Sequence, residues 1–80
     1  MDIYALNQAF SEEYNVPIEK IHPDSNIWIT FELDSLRALQ ISVIVHKLTG
    51  VVIYPRQLPR LATFQALYDY IIAQKENSQS

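Results

Sequence analysis

Ser35, with Asp34 before it and Glu32 two residues further back, is where this chain concentrates residue types capable of chemistry. Asp34, Ser35 and His46 are the side chains of a hydrolase triad, in which histidine takes the serine proton and a carboxylate orients the imidazole. Spacing rejects that arrangement. Ser35 and His46 stand eleven residues apart on one helical run, roughly 16 Å at 1.5 Å per residue, whereas a base must come within about 3 Å of its nucleophile. His22 reaches Ser35 only through a fold that the residues themselves do not dictate. Metal chemistry fares no better: His22 and Asp24 are a weak pair, and no two-histidine helical motif is present. No apolar pocket that would raise a carboxylate pKa can be read around Glu32 or Asp34. Taken alone, the chain has no catalytic constellation and is not expected to be an enzyme.

The position of the serine remains to be explained. Ser35 lies where an irregular segment hands over to a long apolar run, Leu36 to Leu48. A serine hydroxyl at a helix N-terminus satisfies an orphan backbone N–H, and Asp34 places negative charge at the positive end of the dipole. Local physics thus accounts for Ser35 as a helix cap. That reading describes an unmodified helical protein-interaction module.

Composition bounds the alternatives. Eighty residues make one domain, 1–80, near the small end of what folds unaided. There is no cysteine, so neither a disulfide framework nor a thiolate metal site contributes. Gly50 is the only glycine, which excludes the glycine-rich nucleotide loops. A net charge of −3 offers no electrostatic basis for nucleic-acid binding. The acidic start of the chain is unlike a signal peptide, and no apolar run approaches membrane-spanning length. A cytoplasmic, monomeric protein without membrane insertion is expected, and Met1 with the polar tail favours a free-standing chain.

The elements that must position Ser35 are read from periodicity. Ile3, Leu6, Phe10 and Tyr14 form a helical stripe, giving a first helix over 2–14 that Asp2 caps and Asn15 ends in the left-handed conformation. From Val16 to Leu33 the chain reads as a long irregular loop pinned by apolar residues, with Trp28 as an anchor. The second helix carries two apolar faces, one of Ala38, Ile41, Ile44, Val45 and Leu48, the other of Leu36, Leu39 and Val43. So small a domain can cover only one face fully, so the Leu36 stripe is expected to be partly exposed. Gly50 ends this helix, and 51–54 reads as an extended connector. Pro55 and Pro59 leave room for one helical turn at most. Thr63 caps a last helix with Phe64, Leu67, Tyr70 or Ile71 and then Gln74 facing inward, and 72–80 is a partly frayed polar tail. The fold class is all-α: a small four-helix bundle, three main helices plus one short one, with a long first loop.

A serine opening a central helix after a long loop, in a catalytically empty helical bundle, resembles the acyl carrier and peptidyl carrier proteins. The match rests on Leu33-Asp34-Ser35-Leu36, supported by the stretch Val16 to Ser25 before it and by Thr63 to Ile71 near the end. The resemblance implies that Ser35 carries 4′-phosphopantetheine, added from coenzyme A by a phosphopantetheinyl transferase, and that the arm holds acyl or aminoacyl thioesters. It also implies a transferase-recognition role for Asp34 and a partner-contact role for Leu36. An acyl- or aminoacyl-loading enzyme and downstream synthase or modifying enzymes would be the further partners.

Two departures stand out. Many family members have glycine where Glu32 stands. Fatty-acid carriers resemble one another in an acid-rich face on this helix, whereas the corresponding positions here are Arg37, Gln40, Val43, His46 and Lys47. With Leu36 and Leu39, these form the expected partner face. They imply a dedicated, type II carrier of a polyketide, nonribosomal-peptide or modified fatty-acid pathway, distinct from the housekeeping fatty-acid carrier. Arg56, Pro59 and Arg60 form a candidate second contact beside it.

Overall fold

The computed structural model describes residues 3–78. Four α-helices, α1 (Ile3–Tyr14), α2 (Ile27–Thr30), α3 (Ser35–Thr49) and α4 (Phe64–Ser78), are joined by two 3₁₀ segments, Ile18–Lys20 and Pro55–Arg60. Three long helices and a short segment before the last one form the expected all-α bundle. Asp2, expected to cap α1, lies outside the described residues.

The periodic stripes become the core. Leu6, Phe10 and Tyr14 of α1 meet Ala38, Ile41 and Val45 of α3 and Phe64, Leu67, Tyr68 and Ile71 of α4. In the connector, Val51 and Ile53 turn inward while Val52 and Tyr54 face solvent, the period-two alternation of extended chain. The turn signals act as expected: Asn15 has φ 54° and Gly50 φ 79°. The Gly50 N–H donates to the His46 carbonyl at 2.9 Å, closing α3.

Four expectations are corrected. The 16–33 segment is not structureless, because Asn26 accepts from the Ile29 N–H and caps α2 within it. The segment between the prolines runs past one turn and includes Pro59. Proline is tolerated there because so short a 3₁₀ piece makes few internal N–H to carbonyl bonds for the missing donor to leave unmade. Of the tail expected to be partly frayed, the described part is helical from 72 through Ser78, with the Lys75 ammonium donating to the Thr49 carbonyl at 3.0 Å and tying it to the end of α3; residues 79–80 lie outside the described residues. On α4, Phe64, Leu67 and, of the two alternatives, Ile71 face inward as expected, with Tyr70 less buried; the correction is Tyr68, which is buried although the expected inner face does not include it. The Tyr68 hydroxyl bonds to Asn7 Oδ1, which lets a polar ring tip enter the core without an unsatisfied donor.

The long loop is held at three points. Its first part closes the N-terminus of α4: the Phe64 and Gln65 N–H groups donate to the Ser25 and Pro23 carbonyls at 3.3 and 2.9 Å. The Ala66 N–H donates to Thr63 Oγ1, so the expected cap and the loop together satisfy the orphan donors of that helix. Trp28 is the expected anchor, its Nε1–H donating to the Leu58 carbonyl at 3.2 Å.

The third point is Phe31, 1 % exposed. Its ring stacks on Tyr14 at 4.3 Å, meets Phe64 edge-on at 5.3 Å and lies tilted against Phe10 at 5.7 Å. One loop residue therefore touches α1 twice and α4 once, four residues before Ser35. Truncating so buried a ring costs about 3–5 kcal/mol, a large part of the stability of a domain this size. Phe31→Ala should accordingly lower the urea midpoint severely or leave the chain unfolded; a midpoint unchanged within error would show that the loop does not depend on this ring.

Candidate functional site

Ser35 is exposed and is the first residue of α3 rather than its cap. The cap is Asp34: its Oδ1 accepts from the Arg37 N–H at 2.8 Å, and its own carbonyl accepts from Ala38 N–H at 2.9 Å. The expectation that the Ser35 hydroxyl serves as cap is thus corrected. Asp34 sits in extended conformation one residue before the helix, the geometry from which a side-chain oxygen reaches the N3 amide. With that amide bonded to Asp34, the serine hydroxyl projects from the end of a fifteen-residue helix with no capping duty. The amides of Ser35 and Leu36 precede the first intrahelical bond, and the dipole there favours an attached anion.

Backbone geometry aims the helix at this point. Glu32 has φ 50°, in the left-handed region where a side chain costs roughly 1–2 kcal/mol and glycine costs nothing. A glycine would adopt this bend freely, and here a glutamate holds it under strain. The Arg37 guanidinium reaches back and donates through Nη1 to the Phe31 carbonyl at 2.9 Å. The Tyr14 hydroxyl donates to the Arg37 carbonyl at 2.7 Å. Burial, with Glu13 adding to it, pushes the Tyr14 hydroxyl well above its ordinary pKa, so it remains a protonated donor. Phe31, Arg37 and Tyr14 thus fix the first turn of α3 from both sides.

The expected partner face divides. Leu36, Leu39 and Val43 are exposed by 71, 47 and 59 %, so this stripe is not core. His46 and Lys47 are exposed on the same side, and Gln40 is half-buried. Arg37 lies about 100° around the helix from Leu36, and its guanidinium is bound to the loop, so it positions the site before it can meet a partner. Across a groove of about 460 Å³ lined by Val43, His46, Lys47, Val52 and Ile53, the connector adds Val52 and Tyr54, each about half exposed. The Arg56 guanidinium lies over the Tyr54 ring, 5.1 Å from its centre. Sequence reading missed these two residues, although the inward Val51 and Ile53 imply them. Among the described residues no cluster of three histidines or acids could hold a metal ion.

Ser35 thus offers a solvent-exposed hydroxyl, freed from capping, at a helix N-terminus whose dipole favours negative charge. A family model described as a phosphopantetheine attachment site matches residues 5–71. The chain belongs to this family. Members of the family are non-catalytic carriers that hold 4′-phosphopantetheine covalently, which agrees with the absence of a triad spacing here. The matched span contains all of α2 and α3, both 3₁₀ segments and the part of α4 that supplies the core. Comparison with curated proteins returned no match.

Two substitutions test the geometry. Asp34→Ala should cost about 1 kcal/mol, measured by urea unfolding, and Ser35→Ala should stay within about 0.5 kcal/mol; the reverse order would return the capping role to Ser35. Glu32→Gly should be tolerated or stabilising by up to about 1 kcal/mol, and Glu32→Val, whose branched side chain suits positive φ least, should lose more than 1 kcal/mol by the same measurement.

Proposed function

We propose that Ser35 is the attachment residue and that the protein carries acyl or aminoacyl groups in a specialised polyketide, nonribosomal-peptide or modified fatty-acid pathway. The observation that carries the assignment is the exposed Ser35 hydroxyl at the first position of α3, relieved of capping by Asp34. The residues around it suit the group. A phosphodiester on Ser35 would lie at the positive end of the α3 dipole, and no side chain has to leave the core to expose the hydroxyl. When bound, 4′-phosphopantetheine supplies a thiol that holds cargo as a thioester; this chain contains no cysteine to compete with it.

Its own residues do the rest. Asp34 fixes the helix start and offers the transferase a carboxylate beside the hydroxyl. Phe31 and Arg37 hold the loop so that Ser35 is presented in one orientation. Leu36, Leu39 and Val43 give the transferase, the loading enzyme and the downstream synthase or modifying enzymes an apolar surface adjoining the attachment point. A specialised pathway is favoured by the face itself: Gln40, His46 and Lys47 contain no acid, and an enzyme built to receive an acidic carrier would meet the wrong sign.

Incubation with coenzyme A and a broad-specificity phosphopantetheinyl transferase should add one phosphopantetheine to the intact mass. Ser35→Ala should add none while retaining its helical circular dichroism. Absence of any mass gain with several transferases, on folded protein, would leave an unmodified interaction module as the better description.

A further inference from the structure

A serine inside a helix ordinarily turns its hydroxyl to solvent or back to the carbonyl four residues earlier. Thr49, in the last turn of α3, takes the second course: its Oγ1 donates to the Val45 carbonyl at 2.7 Å. Ser42 does neither. Its Oγ is closed to solvent and has no hydrogen-bond partner, the one side-chain nitrogen or oxygen in that state among the described residues. Buried polar groups are nearly always paired, and an unpaired one is held at a cost. The residue itself is half-buried and lines the groove between α3 and the connector, in company with Val43, His46, Val52 and Ile53.

Ser42 stands seven residues after Ser35. At about 100° per residue the two project from one side of α3, roughly 10 Å apart along its axis. Leu39, exposed by 47 %, lies on the same row between them. The attachment hydroxyl, an apolar surface and an unpaired hydroxyl at a groove are therefore in line. We propose that Ser42 anchors the 4′-phosphopantetheine arm by a hydrogen bond to one of its amides, the arm lying over Leu39 into the groove; the assignment rests on the carrier reading of Ser35. Between its phosphate and its thiol the arm alternates saturated carbon with amides. It therefore asks for apolar walls, which Val43, Val52 and Ile53 supply, and for a hydrogen-bonding group among them. A serine hydroxyl serves in either sense, donating to an amide carbonyl or accepting from an amide N–H. Nothing binds the Ser42 hydroxyl in its present rotamer, so a turn about χ1 brings it to an amide without breaking a native bond. One neutral hydrogen bond is weak in net terms, which suits an arm that has to leave for each enzyme it serves.

The test loads the full-length protein, Ser42→Ala and Ser42→Thr from coenzyme A whose pantetheine amides carry nitrogen-15. Intact mass reports attachment, and NMR reports the arm with its thiol free of cargo. In the unsubstituted protein one arm amide should exchange its proton about threefold more slowly than in free pantetheine, with shifts centred on Leu39, Ser42, Val43 and Val52. Ser42→Ala should gain the same mass and keep its helical circular dichroism, while that amide returns to the free rate; Ser42→Thr, which retains a hydroxyl, should restore the protection. Before loading, Ser42→Ala should unfold at a urea midpoint no lower than the unsubstituted protein, since the hydroxyl it removes has no partner to lose. A lowered midpoint would show that a water or a backbone carbonyl already holds that hydroxyl, and would overturn the proposal. So would protection that survives Ser42→Ala, shifts centred on α1, or an effect that appears only once an acyl group is loaded, which would assign the bond to cargo instead of the arm. A missing mass gain overturns the carrier reading and the anchor with it; a normal gain with an unprotected arm overturns the anchor alone.

Discussion

The packing of Phe31 is the constraint on which the site depends. A segment of about twenty residues between α1 and α3 has little regular structure to hold it, and ordering each residue costs on the order of 1 kcal/mol in backbone entropy. Burying one aromatic ring against Tyr14, Phe10 and Phe64 offsets part of that cost, and aromatic pairs of this kind add about 0.5–1.5 kcal/mol each beyond their area. Because Phe31 is joined to both α1 and α4, its position registers the whole bundle. Ser35, four residues later, inherits that register.

Between Phe31 and the first turn of α3, a few residues divide the labour. Glu32 makes the bend in a conformation that glycine would adopt freely. Asp34 terminates the loop and caps α3. Arg37 reaches back to the Phe31 carbonyl, while its own carbonyl receives the Tyr14 hydroxyl. The cap that Ser35 could have supplied is thereby supplied by its neighbour. An exposed hydroxyl on a rigid helix end is a better acceptor of a transferred group than one engaged in a cap, because no native bond has to break before it reacts.

The remainder of α3 shows how one helix serves both core and surface. Ala38, Ile41 and Val45 are buried, whereas Leu36, Leu39 and Val43 on the opposite side are exposed. In a domain of this size an exposed apolar stripe is a standing cost in solubility, and family membership supplies a reason for keeping it: a carrier has to meet several enzymes.

Much of this was legible in the residues. The three long helices, the left-handed Asn15, the Gly50 stop, the Thr63 cap and the exposed second stripe of α3 all come from local rules, since periodicity, caps and positive-φ residues act within a few positions. The serine motif was legible as well. The roles that tertiary structure decided involve partners far apart in the chain or choices between adjacent residues of similar propensity. Asp34 and Ser35 both favour helix starts, and only the backbone geometry entering α3 settles which of them reaches the Arg37 amide. Arg37 reads as a surface cation until the loop folds back under it. The stripe of α4 does not include Tyr68, whose ring enters the core with its hydroxyl bonded to Asn7, sixty-one residues away. Local sequence determined which elements form and where they end; the packing of one loop on three helices determined which side chains at the site are free to act.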